Sequence, residues 1–251
     1  FFTFPTVASN CAACTAIAVI YNADGTFKEY FYPKCPSYHT FINTRIIADS
    51  PDSLLWAGIG DALSKEYEVL FATRAEELFH TTLLGAQLSK ACTAPLIDFG
   101  AKALEDCKAN KASYELEQVA LDIIISTGIV SNLTSGGEKY YYNSSLGHAF
   151  YYGSTVIPKA EKHLHGEVVS FGVLCLLTYD NQLEERERIM KFHKTIGLPT
   201  CLADMEITEE DIPAIVEKAS TVREWTCVPY ATDKDKFAKA ILETDKVGKT
   251  F

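Results

Sequence analysis

Gly58-Ile-Gly-Asp-Ala-Leu63 lies inside a run that reads as a helix, opened by the N-cap and first-turn pair Ser50-Pro51 and continued through Leu54, Leu55, Ala62, Leu63 and Tyr67. Two glycines in a helix interior cost roughly 1 kcal/mol each relative to alanine, so some other group is expected to approach closely beside Asp61. Ala57 and Gly58 stand four and three positions before Asp61 on the same face and leave space above its carboxylate. Taken alone, such an aspartate is more often a solvated carboxylate on an amphipathic helix. It gains meaning from two histidines further along the chain.

His148 follows Gly147 and precedes Ala149 in a short helical stretch ended by Gly153. By itself it fits a core histidine bonded to a backbone carbonyl. His165 comes after the break at Pro158, and Gly166-Glu167 then open a strongly apolar helix. A helix-loop-helix connection can bring both imidazoles to one centre. Two histidines and one carboxylate form a three-ligand site with open positions, the arrangement of catalytic zinc and of non-haem iron. The spacing lacks the tight register of a His-Glu-x-x-His helix and is not diagnostic alone.

Around this centre the pattern is mainly helical. Helices are expected at 75–92, 95–110, 113–129, 144–152, 167–179, 183–196, 212–220 and 234–243, with breakers at Gly136-Gly137, Gly153, Pro158 and Gly197-Leu-Pro199. Before residue 44 the pattern is β-like: Ala16-Ile-Ala-Val-Ile-Tyr21, a turn at Asn22-Ala-Asp-Gly25, then Phe27 to Tyr32, which reads as a hairpin. With 251 residues, 47% of them hydrophobic, the chain can bury a sizeable core. A net charge of -10 without a basic run argues against a nucleic-acid partner. No stretch approaches 18 uninterrupted apolar residues, so no membrane span is expected.

The eight cysteines are scattered through mostly apolar surroundings, which suits free thiols in a reducing cytoplasm better than a disulfide frame. Cys11-Ala-Ala-Cys14 has no second pair to make a zinc site and no redox-fold context. Glycosylation at Asn132 or Asn143 would matter only in a secreted protein. The cluster Tyr140-Tyr-Tyr142 reads as a packed or surface loop, and Glu184-Glu-Arg-Glu-Arg188 as a solvated helix face. No phosphate-cradling glycine loop occurs in these residues.

Taken together and in order, Phe4-Pro-Thr-Val-Ala-Ser9 leading into Ala16-Ile-Ala-Val-Ile-Tyr21, then Ala57-Gly-Ile-Gly-Asp-Ala-Leu63, His148-Ala149, His165-Gly-Glu167 and Gly197-Leu-Pro-Thr200 resemble the metal-dependent, group III (iron-containing type) alcohol dehydrogenases. The likeness is nearest to their glycerol dehydrogenase branch and runs from the first residue to near the last. Ala8-Ser-Asn-Cys-Ala-Ala-Cys-Thr15 is more similar to relatives known as hydroxycarboxylate dehydrogenases.

The resemblance implies a mainly α fold: a dehydroquinate synthase-like, all-helical metal-binding domain over 50–251. It would be preceded over 1–49 by a hinge and a short β portion of an N-terminal Rossmann-like α/β domain, most of which these residues lack. It implies Asp61, His148 and His165 as catalytic residues and ligands of a divalent metal, zinc or iron. NAD or NADP would lie along Thr6, Val7, Ala8 and Ser9, with Thr15, Ile17 and Tyr21 around the nicotinamide. Cys11 stands where glycerol-oxidising relatives carry an aspartate that contacts the polyol, so Cys11 and His148 are expected to face the substrate.

The implied reaction is reversible hydride transfer between a small secondary alcohol, a polyol or a 2-hydroxy acid, and the nicotinamide, in a cytoplasmic homo-oligomer with no nucleic-acid or membrane partner. These residues alone are expected to be inactive, and an exposed strand Phe1 to Thr6 to favour association. Two alternatives are a non-catalytic helical module that binds metal or oligomerises, and a glycerol-1-phosphate dehydrogenase-like or dehydroquinate synthase-like enzyme. The latter would want basic residues in the cleft, and none cluster in sequence near the proposed ligands.

Overall fold

The computed structural model describes residues 1–23, 27–136 and 139–251. Four short strands come first: β1 (Phe2–Thr3), β2 (Ala18–Tyr21), β3 (Phe27–Phe31) and β4 (His39–Thr40). β2 and β3 form the expected hairpin, antiparallel with Ala18 opposite Phe31 and a register shift at Ile20/Tyr21, while its turn lies partly outside the described residues. The sequence carries no periodic sign of the parallel pair β1–β4, because two-residue strands are too short to show one. Thr3 anchors that pair by donating its hydroxyl to the Ala13 carbonyl at 2.7 Å.

From Thr44 onward the described elements are helical apart from one isolated bridge, Ser135 with Tyr141. They are α1 (Thr44–Ala48), α2 (Asp52–Ala62), α3 (Ser64–Ala72), α4 (His80–Ser89), α5 (Ala94–Lys108), α6 (Tyr114–Leu121), α7 (Thr127–Thr134), α8 (Leu146–Ser154), α9 (His165–Tyr179), α10 (Leu183–Ile196), α11 (Ile212–Ala219), α12 (Arg223–Thr226) and α13 (Lys234–Gly248). The mainly α class is as expected, and local boundaries differ for physical reasons. Ser50 does not cap α2: its hydroxyl turns back to the Ile47 carbonyl at 2.7 Å and closes α1, leaving Pro51 at the N-cap. The helix expected from residue 75 starts only at His80, because Ala75 adopts a left-handed φ of 62° that no continuous helix accepts.

α2 and α3 are separated only by Leu63, which keeps helical torsions and donates its N–H to the Ile59 carbonyl at 3.1 Å. They form nearly one rod, on which Asp61, Lys65 and Glu68 share a face at spacings of four and seven. α9 is buried on every side, from Val168 through Leu177, and is the central helix of the bundle. α2, α8, α10 and α13 pack around it.

Glycines set two of these crossings. A Cβ on Gly166 would strike the Ala57 carbonyl, and one on Gly172 would strike the backbone of Gly147. α9 thereby meets α2 and α8 backbone to backbone, close to the positions of Asp61 and His148.

α6, a π turn at Asp122–Ser126 and α7 form a 21-residue run, Tyr114–Thr134, that by length and composition is apolar enough to cross a bilayer. Leu116, Val119, Ala120, Ile123 and Ile124 of this run lie in the same core as α9, so internal packing accounts for its apolarity.

Candidate metal centre

Asp61 sits in the last turn of α2, His148 in the first turn of α8, and His165 begins α9. The Asp61 Oδ1 lies 3.2 Å from Nε2 of His165 and 3.5 Å from Nε2 of His148. One ligand atom from each residue lies within 4.8 Å of the other two. The imidazoles are 5.3 Å apart, centre to centre, and tilted by 54°. Asp61 Oδ1 is buried and has no hydrogen bond of acceptable geometry. Three lone-pair atoms turned toward a common point, without bonding one another well, are what a cation would complete. The donor set fits zinc or iron.

Burial would push the Asp61 carboxyl up, but His148 and His165 outweigh it and hold it well below the usual carboxylate range. Burial likewise disfavours a charged His148, and the carboxylates of Glu68 and Asp61 reverse this, raising the imidazole to about 10. The two carboxylates thus favour positive charge at this point, whether a proton on His148 or a cation that would displace it.

Sequence reading missed Glu68. Fully buried on α3, it places Oε2 at 2.6 Å from Nδ1 of His148, while its Oε1 accepts the backbone N–H groups of Ser145 at 2.8 Å and of His148 at 2.9 Å. A carboxylate behind an imidazole fixes the tautomer with Nδ1 protonated and leaves Nε2 free for a metal. The available signal is its position seven residues after Asp61, two helical turns along the same face. The ring of Tyr151 stands edge-on to His165 at 4.2 Å and limits how that imidazole can turn.

Of the residues expected along the cofactor, Ala8 and Ser9 lie against α2, where a Cβ on Gly58 would strike the Ala8 carbonyl. This is the close approach that the glycines beside Asp61 imply. Asn132 holds the start of the following strand, accepting the N–H of Ala16 at 3.1 Å and donating to the Cys14 carbonyl at 2.9 Å. Among the described residues no hydrogen bond or ion pair joins Thr6, Val7, Thr15 or Ile17 to Asp61, His148 or His165, and the side chain of Tyr21 lies outside the described part.

Cys11 places its thiol 3.7 Å from the Ser131 hydroxyl. Cys14 faces inward, within hydrogen-bonding distance of the Ile124 carbonyl at 2.7 Å, and burial pushes its thiol up to about 12, as suits a packed residue. The two are not bonded to each other, and all eight cysteines are free. The structure also adds a basic group that linear spacing hides: Lys65 is buried one helical turn beyond Asp61.

No family model matches the chain. It is 33% identical to a glycerol dehydrogenase of Escherichia coli O6:H1, over 98% of its own length and 68% of that protein's. The chain belongs to the group III, metal-dependent alcohol dehydrogenases, in their glycerol dehydrogenase branch. Hydroxycarboxylate dehydrogenase A of Escherichia coli K12 is 32% identical over 82% of the chain and 56% of that protein. Among solved structures, a probable glycerol dehydrogenase from Sinorhizobium meliloti 1021 superposes with a TM-score of 0.85 at 28% identity, covering 99% of this chain and 70% of that one. The chain thus spans about two thirds of the length of these glycerol dehydrogenases.

Proposed function

We propose that this group III protein is a nicotinamide-linked oxidoreductase that moves hydride between a small secondary alcohol and NAD or NADP, with a divalent metal held by Asp61, His148 and His165. The observation that carries the reading is the convergence of those three side chains with Glu68 bonded behind His148. The metal, when bound, supplies a Lewis acid that makes the alcohol proton easier to lose and the carbonyl easier to reduce. Asp61 brings the one negative charge of the set. Glu68 keeps the His148 Nε2 lone pair directed at the centre, and the partly exposed His165 leaves the open side toward solvent and substrate.

The dinucleotide would run past Thr6, Val7, Ala8 and Ser9, with Thr15, Ile17 and Tyr21 at the nicotinamide. The alcohol would lie between His148 and Cys11. Free thiols throughout suit a reducing cytoplasm, where we place the reaction. The test is turnover by the intact, metal-loaded protein, followed by nicotinamide absorbance with a panel of polyols, 2-hydroxy acids and their carbonyl counterparts. Activity that appears with zinc or iron and disappears on chelation is expected. Metal-independent turnover, or none with any member of the panel, would sink the proposal.

A further inference from the structure

Lys65 is only 6% exposed, and its ammonium donates to Asn143 Oδ1 at 2.6 Å, to Ser131 Oγ at 3.1 Å and to the Asn143 carbonyl at 3.3 Å. All three acceptors are neutral, and among the described residues no carboxylate is paired with it. The buried guanidinium of Arg186, by contrast, has Glu243 at 2.9 Å. An ammonium taken out of water without a counter-ion is costly, and proteins keep such a charge where something anionic visits it.

The position of Lys65 shows what could visit. It lies on the same helical face as Asp61 and Glu68, one turn from the proposed metal ligand. Asn143 begins the segment that leads to His148. Ser131 connects Lys65 to Cys11, standing 3.1 Å from the ammonium and 3.7 Å from the thiol. Where a carboxylate at position 11 would neutralise this corner and repel an acid, the thiol offers no fixed charge.

Resting on the hydride-transfer reading above, we propose that Lys65 is a specificity-determining residue that holds the carboxylate of a small 2-hydroxy or 2-oxo acid, with Ser131 and the Asn143 side chain positioning its ammonium and the longest of its three bonds, to the Asn143 carbonyl at 3.3 Å, giving way to the carboxylate. The reaction would be oxidation at C2: hydride passes from C2 to the nicotinamide, the hydroxyl proton leaves to solvent, the C2–O bond becomes a carbonyl, and the carboxylate stays unchanged as the handle.

Two measurements test this. Calorimetric titration of lactate and of its neutral analogue lactamide into the metal-loaded protein, with reduced nicotinamide present so that nothing turns over, should show lactate binding the more tightly. Lys65→Met should weaken lactate about ten- to a hundredfold and leave lactamide unchanged, with Lys65→Arg restoring part of the loss. In turnover, Lys65→Met should lower kcat/KM for 2-oxobutanoate by a similar factor, mainly through KM, while hydroxyacetone is reduced as before. Equal wild-type affinity for lactate and lactamide, or equal losses for acid and neutral substrates, overturns the proposal. Should Lys65→Met fail to fold, Lys65→Gln carries the same comparison, since its amide can keep a hydrogen bond to Asn143 while removing the charge. Absence of all turnover with lactate binding intact would instead remove the dehydrogenase reading and leave the carboxylate site standing.

Discussion

At the scale of single residues, the centre depends on which nitrogen each imidazole presents. His148 is committed by Glu68, whose two oxygens serve the ring on one side and two backbone N–H groups on the other. Glu68→Gln cannot satisfy both sides, because its NH₂ must face either an N–H of the ring or those of the backbone. Competitive chelator titration should show metal affinity reduced about ten- to a hundredfold, with the helical circular dichroism signal retained. His165→Ala should strip the metal in elemental analysis, while His163→Ala, whose imidazole bonds Glu167 at 2.8 Å, should keep it. Metal retained in His165→Ala at wild-type affinity would refute the ligand assignment. Asp61, His148 and His165 stand out as candidates in the sequence because they fall in order on motifs similar to those of the group III enzymes, their spacing alone not being diagnostic. Glu68 and Lys65 do not, since a lone Glu or Lys in a helix is ordinarily a solvated charge and only the fold buries these two.

At the scale of elements, glycine-lined crossings hold the three candidate ligands together. Gly172→Ala would push α8 away from α9 and carry His148 with it. A loss of about 1–3 kcal/mol in stability is expected, together with weaker metal binding, from parallel urea melts and chelator titrations. The π turn between α6 and α7 carries a different liability. Asp122 is buried there without a well-formed hydrogen bond, and burial raises its carboxyl to about 7, only partly opposed by the Ser126 hydroxyl.

Since the folded protein holds this proton more tightly than the unfolded chain, the stability from Asp122 is full below about pH 4 and is lost as pH rises through about 7. The shift corresponds to roughly 4 kcal/mol as an upper bound. Urea melts of Asp122→Asn and wild type should diverge in favour of the variant between pH 5 and pH 8, and parallel pH curves would rule out the buried acid. The long helices are legible from periodicity and breakers. α1, the late start of α4 and the parallel strand pair are not, because one-turn helices and two-residue strands carry too few residues to show a period.

At the scale of the whole molecule, the helical core is closed around α9, while β1, β4 and the residues flanking them carry an aromatic strip facing solvent. Phe4 and Phe41 stack at 4.9 Å and Phe2 lies over His39 at 5.7 Å; Phe4, Phe41 and Tyr38 are each at least half exposed, at 67%, 50% and 79%. Contiguous apolar surface of this kind drives association. The 251-residue chain should scatter light as an oligomer and bind a hydrophobic dye, both effects falling in a Phe4→Ser, Phe41→Ser double variant. A dye-silent monomer would contradict this.

By itself the sequence determined the mainly helical class, the acidic and thiol-rich character, and the choice of three metal-ligand candidates, because hydrophobic period and the short motifs that carry the family likeness are local properties of the chain. Only the tertiary structure decided which carboxylate orients His148, and that an ammonium with no counter-ion among the described residues lies one turn from Asp61, linked to Cys11 through Ser131. Those facts depend on burial and on contacts between residues tens of positions apart, which arise when α3, α7 and α8 close on one another.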